Sequence, residues 1–308
     1  MHWILLAFVS PLLLALVNHV DKYMLEKYFK DGGVGALMVF SSLAGVLVLP
    51  VAWFFSTENI FGMPILFMII LTVLGILSAL AVFAYLFALE DEEVTVVVPF
   101  FQTIPIFFLI LGYFFLGETI TTLQVIGMLV IIAGSIILSL ELDEVNSYRF
   151  KKKAVTLMLV SSFLFSFNGI IFKKIALESS FWTSIFWENF GLFITGLFIF
   201  IFIKNYRKRF LWVFKENKGK IMTLNITAEI LVLISNLCVQ FALIMAPVAL
   251  VSLADSYQPI FVLFWAFLFY FVSPKIFEEK IKRKNLIKEI VSILIICIGT
   301  TLVYILNI

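Results

Sequence analysis

Charged side chains are scarce in this chain: Asp, Glu, Lys and Arg together make up 14% of its 308 residues. So small a supply could not cover the surface of a water-soluble domain of this length, which excludes a soluble globular protein. Cysteine is limited to Cys238 and Cys297, and histidine to His2 and His19. Two lone cysteines in apolar segments supply neither a disulfide framework nor metal-ligand spacing. Nowhere do His, Cys and carboxylates cluster, so no metal centre and no acyl-transfer site is expected. The glycines nowhere form a phosphate-binding loop, so ATP does not drive this protein. These absences together predict a non-enzyme without a cofactor.

Apolar side chains are abundant instead, at 63% of the chain, with a mean hydropathy of +1.12. A membrane span needs about 20 apolar residues to cross roughly 30 Å of hydrocarbon. Ten stretches qualify, near 3–25, 35–55, 63–88, 94–116, 123–140, 154–174, 182–203, 221–244, 248–271 and 288–307. These runs are too long for the alternating strands of a barrel, about ten residues each, and open-edged backbone cannot face lipid. The expected fold is therefore an all-α integral membrane protein with ten transmembrane helices. No small-residue cleavage site follows the first stretch, which reads as a retained helix rather than a signal peptide.

The formal net charge of +2 conceals an asymmetry between connections. With ten helices, the odd-numbered connections and their flanks hold 20 of the 22 Lys and Arg, and the even-numbered ones hold only Lys173 and Lys174. Basic residues beside spans stay cytoplasmic. Both termini are therefore expected outside, in a multi-pass protein of the plasma (inner) membrane. The basic clusters read as topology signals, with membrane lipid and not nucleic acid as their partner.

Residues 87–107 and 241–261 repeat one pattern in register at a spacing of 154. Eight of the 21 aligned positions are identical, among them Phe87/Phe241, Pro105/Pro259 and Phe107/Phe261, against roughly two expected by chance. Weaker echoes relate Asn18 to Asn168 and Leu129–Ser135 to Leu294–Thr300, with Gly134 over Gly299. The chain is thus expected to be two five-helix copies, residues 1–145 and 146–308, joined in the polar stretch 141–153. Five is odd, so the copies lie in the membrane in opposite orientations, as inverted repeats.

Within this layout the helix-turn segment Leu116-Gly117-Glu118-Thr119-Ile120-Thr121, the following Gly127 and Ala133-Gly134, the Pro-Ile-Phe helices and the stretch Ala246-Pro247-Val248-Ala249-Leu250-Val251-Ser252 carry a resemblance. The chain resembles the EamA-type members of the drug/metabolite transporter superfamily over essentially its whole length. It departs from the pattern in the second copy, where Ser273-Pro274 stands in place of Gly117-Glu118. The resemblance implies a transporter of small organic metabolites, a superfamily that includes carriers of amino acids, nucleotide sugars and cationic drugs.

A carboxylate inside a span costs several kcal/mol on insertion, so it points to a role or a partner. Three stand out in the second half: Glu188, Glu229 and Asp255. Each lies about seven residues into its span, roughly 10 Å deep, where a dehydrated acid is a candidate for proton coupling. The plainer alternative is that they bond to Asn189, Asn236 or Gln240 and fix helix packing. Asp255 stands four residues before Pro259, whose missing N–H frees a carbonyl of the preceding turn. Ser252, Asp255, Ser256 and Pro259 share a helix face. The counterpart of Asp255 in the first half is Phe101, flanked by Pro99, Gln102 and Pro105. One wall of the site is thus expected to be acidic and the other aromatic, which suits an amphipathic or cationic solute. Pro99, Pro105 and Pro259 are the expected helix breaks. Gln102, Gln240, Tyr257, Asn18 and Asn168 complete the candidate substrate-binding set.

Near the end of the first helix, Asn18 and Lys22 are one turn apart and positioned to bond, and the run is a candidate cytoplasmic gate. The alternative there is anchoring, with Lys22 snorkelling and Tyr23 in the aromatic belt. His19 alone would have to serve any histidine proton relay. Lys173 and Lys174 oppose the charge pattern and have Glu178 as a candidate partner. The run Glu90-Asp91-Glu92-Glu93 reads as a short solvated loop.

The leading functional expectation is a secondary transporter, an exporter or exchanger of a small metabolite such as an amino acid or amine, working by alternating access. The alternatives are a lipid or lipid-intermediate flippase, or a non-transporting subunit of a membrane complex. Small residues in the fifth and tenth helices would permit homodimer packing.

Overall fold

The computed structural model describes residues 2–27, 34–92, 94–139, 152–216, 219–272 and 286–304. Every regular element among the described residues is helical. The first half comprises α1 (His2–Lys27), α2 (Val34–Phe55), α3 (Ile65–Asp91), α4 (Val94–Val97), a 3-10 turn (Val98–Thr103), α5 (Ile104–Leu116) and α6 (Thr122–Ser139). The second comprises α7 (Lys152–Glu178), α8 (Phe181–Phe202), α9 (Lys204–Glu216), α10 (Lys220–Met245), α11 (Val248–Ser252), a second 3-10 turn (Leu253–Tyr257), α12 (Gln258–Val272) and α13 (Leu286–Tyr304).

Each of the ten expected stretches is helical over most of its described residues. Among the described residues, seven helical segments are long and apolar enough to cross a membrane, and the segments Phe100–Leu116, Thr122–Ile137 and Val291–Val303 are shorter apolar helices. The outward surface carries side chains such as Phe54, 80% exposed, and Phe114, 75% exposed, a pattern that only a lipid solvent tolerates.

The bounds of α3 to α5 recur in α10 to α12 at the 154-residue offset. α3 ends at Glu92 (φ −133°, ψ 160°) and α10 at Ala246 (φ −149°, ψ 163°). The amides of these residues donate to Ala88 O and Ala242 O, both at 3.2 Å. A short helix follows in each case, then a 3-10 turn, then a helix whose second residue is Pro105 or Pro259. Proline has no N–H to give to the residue four back, so the ladder is interrupted and the turn before it tightens. The 3-10 geometry at both breaks is therefore written locally.

Packing is reciprocal in the same sense. α1 lies on α10 and α12, and α7 lies on α3 and α5, while α2 pairs with α8 and α6 with α13. One relation is unequal: α3 packs closely on α8, whereas α10 barely touches α2. In the α6–α13 pair a Cβ on Gly127 would meet Gly299 O at 2.9 Å, and one on Gly299 would meet Gly127 O at 2.8 Å. Two glycine faces meet there and let the backbones touch. The small residues read as a dimer face are thus used within the chain, which removes that support for a homodimer.

Two further expectations are corrected. The basic stretch after residue 203, read as a plain connection, contains α9. Tyr206 and Phe210 stand one turn apart and face the bundle: Phe210 packs on Phe40 with ring centroids 4.4 Å apart, and Tyr206 on Phe83 at 6.5 Å. The density of lysine and arginine masked this amphipathic period. The acidic run is not a plain loop, because α3 continues through Asp91 and Glu92 caps it; Glu93 and the 141–151 junction lie outside the described residues.

Candidate functional site

Close approach of α3 and α8 shapes the interior. A Cβ on Gly191 would stand 2.0 Å from Thr72 O, so neither helix carries a side chain between the two backbones at this level. Beside this contact lies a cavity of about 50 Å³, lined from α2 by Val48, from α3 by Gly75 and Ser78, from α8 by Glu188, Asn189 and Leu192, and from α10 by Leu233, Asn236, Leu237 and Gln240. That volume admits a few water molecules, at about 10–15 Å³ each, and no metabolite.

Glu188 is the cavity's acid and is 7% exposed. Its Oε2 accepts from Gln240 Nε2 at 2.6 Å, which joins α8 to α10 across the opening. Next to it, Asn168 Nδ2 donates to Leu74 O at 3.0 Å and to Ser78 Oγ at 2.7 Å, tying α7 to α3. Asn189 gives its amide hydrogen to Ile185 O at 2.9 Å, which leaves its own oxygen able to accept. Among the described residues no lysine or arginine lines the cavity. A carboxyl group with amide and hydroxyl acceptors, and no cation, is complementary to a positively charged or N–H-rich solute.

The structure distributes the expected site residues over three places. Gln240 lines the cavity and Asn168 stands beside it. Gln102 lies in the first 3-10 turn and Asp255, Ser256 and Tyr257 in the second, with Ser252 just before it, and the two turns are in contact. Gln102 Nε2 donates to Asp255 O at 3.4 Å, the carbonyl four residues before Pro259. Ser135 Oγ donates to Ser256 O at 2.6 Å, and Tyr257 is bonded to Thr300. Ser252 turns back onto Ala249 O at 3.0 Å. Gln102 Oε1 and Ser256 Oγ, on residues 1% and 0% exposed, have no hydrogen-bond partner among the described residues. The Phe101 ring lies 5.6 Å from that of Tyr85 and 6.3 Å from that of Phe165, centroid to centroid.

Glu229 and Asn18 stand elsewhere. Ser41 Oγ donates to Glu229 Oε1 at 2.5 Å between α2 and α10. Tyr85 OH donates to Asn18 Oδ1 at 3.0 Å, and Asn18 Nδ2 is buried without a partner among the described residues. Sequence reasoning missed Ser78, Ser41 and Tyr85 as polar partners. Ser78 was visible as a hydroxyl one turn after Gly75, but nothing in an apolar run says which helix it faces.

The polar ends of α1 and α7 correct two further expectations. Lys22, 8% exposed, neither snorkels nor turns to Asn18. Its Nζ donates to Leu89 O at 3.2 Å and Glu92 O at 3.0 Å, at the end of α3. Lys173 does not take Glu178. It pairs with Glu118 Oε1 at 2.5 Å and donates to Ala246 O at 2.7 Å. Glu118 follows Gly117, which ends α5 in the left-handed conformation, and its second oxygen accepts from the Val248 amide at 2.7 Å. Lys174 is exposed. His19 Nε2 donates to Val262 O at 3.0 Å and packs edge-on to Phe269, an anchoring role.

Comparison with known proteins bears on the fold and the family. A solved crystal structure of a protein superposes with a TM-score of 0.71 over 99% of this chain and 96% of that one at 15% identity, a likeness that shows the fold alone. None of the curated proteins compared matches the chain. Residues 1–140, which hold the Gly117-Glu118 turn, match the EamA-like transporter family. That match spans the first of the two expected copies, and the EamA-like family it points to is part of the drug/metabolite transporter superfamily.

Proposed function

We propose that this protein is a secondary transporter that exports or exchanges a small amine or amino acid by alternating access. Ten helices cross the plasma membrane in two inverted five-helix repeats, residues 1–145 and 146–308, with both termini outside. The common offset of α3–α5 and α10–α12 supports this reading, as does the confinement of nearly all Lys and Arg to one set of connections. The observation that carries it is the Glu188 cavity, in which an acid stands among neutral polar groups. The looser contact of α10 with α2, set against that of α3 with α8, gives the cavity a wall that can move. In the exchanged conformation the roles of these pairs reverse.

The test is counterflow of labelled amines and amino acids in proteoliposomes holding the wild type, Glu188→Gln or Asp255→Asn. Flux in the wild type and its loss in Glu188→Gln, with unchanged thermal stability, supports the reading. Flux that survives in Glu188→Gln and stops in Asp255→Asn moves recognition to the helix breaks. Absence of flux for every solute rejects it. A second reading, a lipid flippase, draws on Asn236, which is exposed although it lies in a membrane-length helix and lines the cavity. Loss of asymmetry of a fluorescent phospholipid in the same vesicles would favour it.

A further inference from the structure

Lys22 and Lys173 make the same kind of hydrogen bond in the two halves of the chain. Lys22 reaches from α1 to the Glu92 carbonyl, and Lys173 from α7 to the Ala246 carbonyl. Glu92 and Ala246 are 154 positions apart, and each is the extended residue that ends the third long helix of its half. The two ties lie at opposite ends of the bundle. α7 runs antiparallel to α3, because Ser161 bonds Ala81 O and Asn168 bonds Leu74 O, so Lys173 stands far from the end of α3 that Lys22 holds.

The physical consequence is a conditional clamp. Carbonyls at a helix C-terminus carry partial negative charge, and an ammonium satisfies them well. Each lysine is more than nine-tenths buried. Pulling the carbonyl away in a dry interior would strip each buried cation of one acceptor with no water to replace it. Once that end of the bundle parts and fills with water, hydration replaces the lost bonds. Each tie therefore resists opening of its own end and has little hold on an end already open. Both are closed here, together with a cavity too small for a metabolite. The Lys173 end also carries the Glu118 ion pair, so its opening must separate two charges as well.

We propose that Lys22 and Lys173 are positioning residues of the transport cycle, paired latches that hold the cytoplasmic and outer ends of the bundle closed and release in alternation. This rests on the inverted-repeat transporter reading. The test places a reporter cysteine at Asn236 in a Cys238→Ser/Cys297→Ser background and labels it with a membrane-impermeant maleimide from either side of oriented vesicles. Lys22→Met should raise labelling from the cytoplasmic side by about ten-fold, and Lys173→Met should do so from the outer side. Lys22→Arg and Lys173→Arg, which keep a cationic donor, should label as the parent does. Glu118→Gln gives a second variant at the outer end, and Lys22→Gln at the inner end, should a methionine variant not fold; each should shift labelling towards its own side. Shifts in the same direction from both ends, or no shift at either, overturn the latches. Labelling needs no solute, so flux without these shifts removes the latches alone, and shifts without flux remove the solute-transport reading and leave the latches.

Discussion

Gly75 lies against Glu188 so closely that an added Cβ would stand 2.0 Å from the Glu188 carbonyl oxygen. The contact fixes the acid's backbone on one side, while its side chain reaches the other way to Gln240. Gly75→Ala must therefore push α3 from α8 and displace the acid. Overpacking of this kind costs about 1–3 kcal/mol. Thermal unfolding of the purified protein should show a lower Tm for Gly75→Ala and for Gly191→Ala. An unchanged Tm in both would mean that the helices do not touch at this level.

Lys173 and Glu118 form a largely buried ion pair whose carboxylate is also bonded to the Val248 amide. Lys173→Met should destabilise by up to about 3 kcal/mol, because it leaves Glu118 charged with one partner fewer. Adding Glu118→Gln should recover part of that loss. A double-mutant cycle on unfolding free energies measures the coupling, and strictly additive effects would show that the pair contributes nothing.

Tyr85 is the donor to Asn18 Oδ1, while the Asn18 amide nitrogen has no partner among the described residues. Tyr85→Phe leaves both ends of a buried amide unmet, at about 1–3 kcal/mol. Tyr85→Phe/Asn18→Leu removes the need along with the partner and should be more stable than Tyr85→Phe alone. The two Tm values, compared directly, decide it; the reverse order would assign Asn18 another partner.

α9 is held by its aromatic face. Phe210 lies 4.4 Å from Phe40 and 5.6 Å from Phe200, ring centroid to ring centroid. Phe210→Ala should release the helix without disturbing the bundle. Hydrogen exchange over residues 204–216 should accelerate several-fold, with α3 and α10 unchanged. Exchange that speeds up throughout the chain would instead make α9 part of the core.

Much of the architecture was legible in the residues because its causes are local. Runs of about 20 apolar residues fold as helices since lipid offers the backbone no partner. Pro105 and Pro259 interrupt their helices wherever these pack, and the 3-10 turns stand before them. α9 escaped because its five Lys and Arg outweighed Tyr206 and Phe210 in any average along the chain.

The candidate site was only half legible. Glu188, Glu229 and Asp255 stood out as acids in apolar runs, and the helix breaks pointed to Gln102 and Asp255. Their division among a cavity, a pair of turns and an α2–α10 contact did not show.

The apolar runs that fold as helices, the 154-residue recurrence and the 3-10 turns before Pro105 and Pro259 were determined by the sequence alone, through hydropathy, proline chemistry and repetition. Which polar groups meet was decided only by the tertiary structure. Lys173 passes over Glu178, five residues along its own chain, for Glu118, 55 residues away. Glu188 finds Gln240 at a separation of 52. Such choices depend on the rotation and spacing of neighbouring helices, which glycine contacts such as Gly75 with Glu188 set in three dimensions.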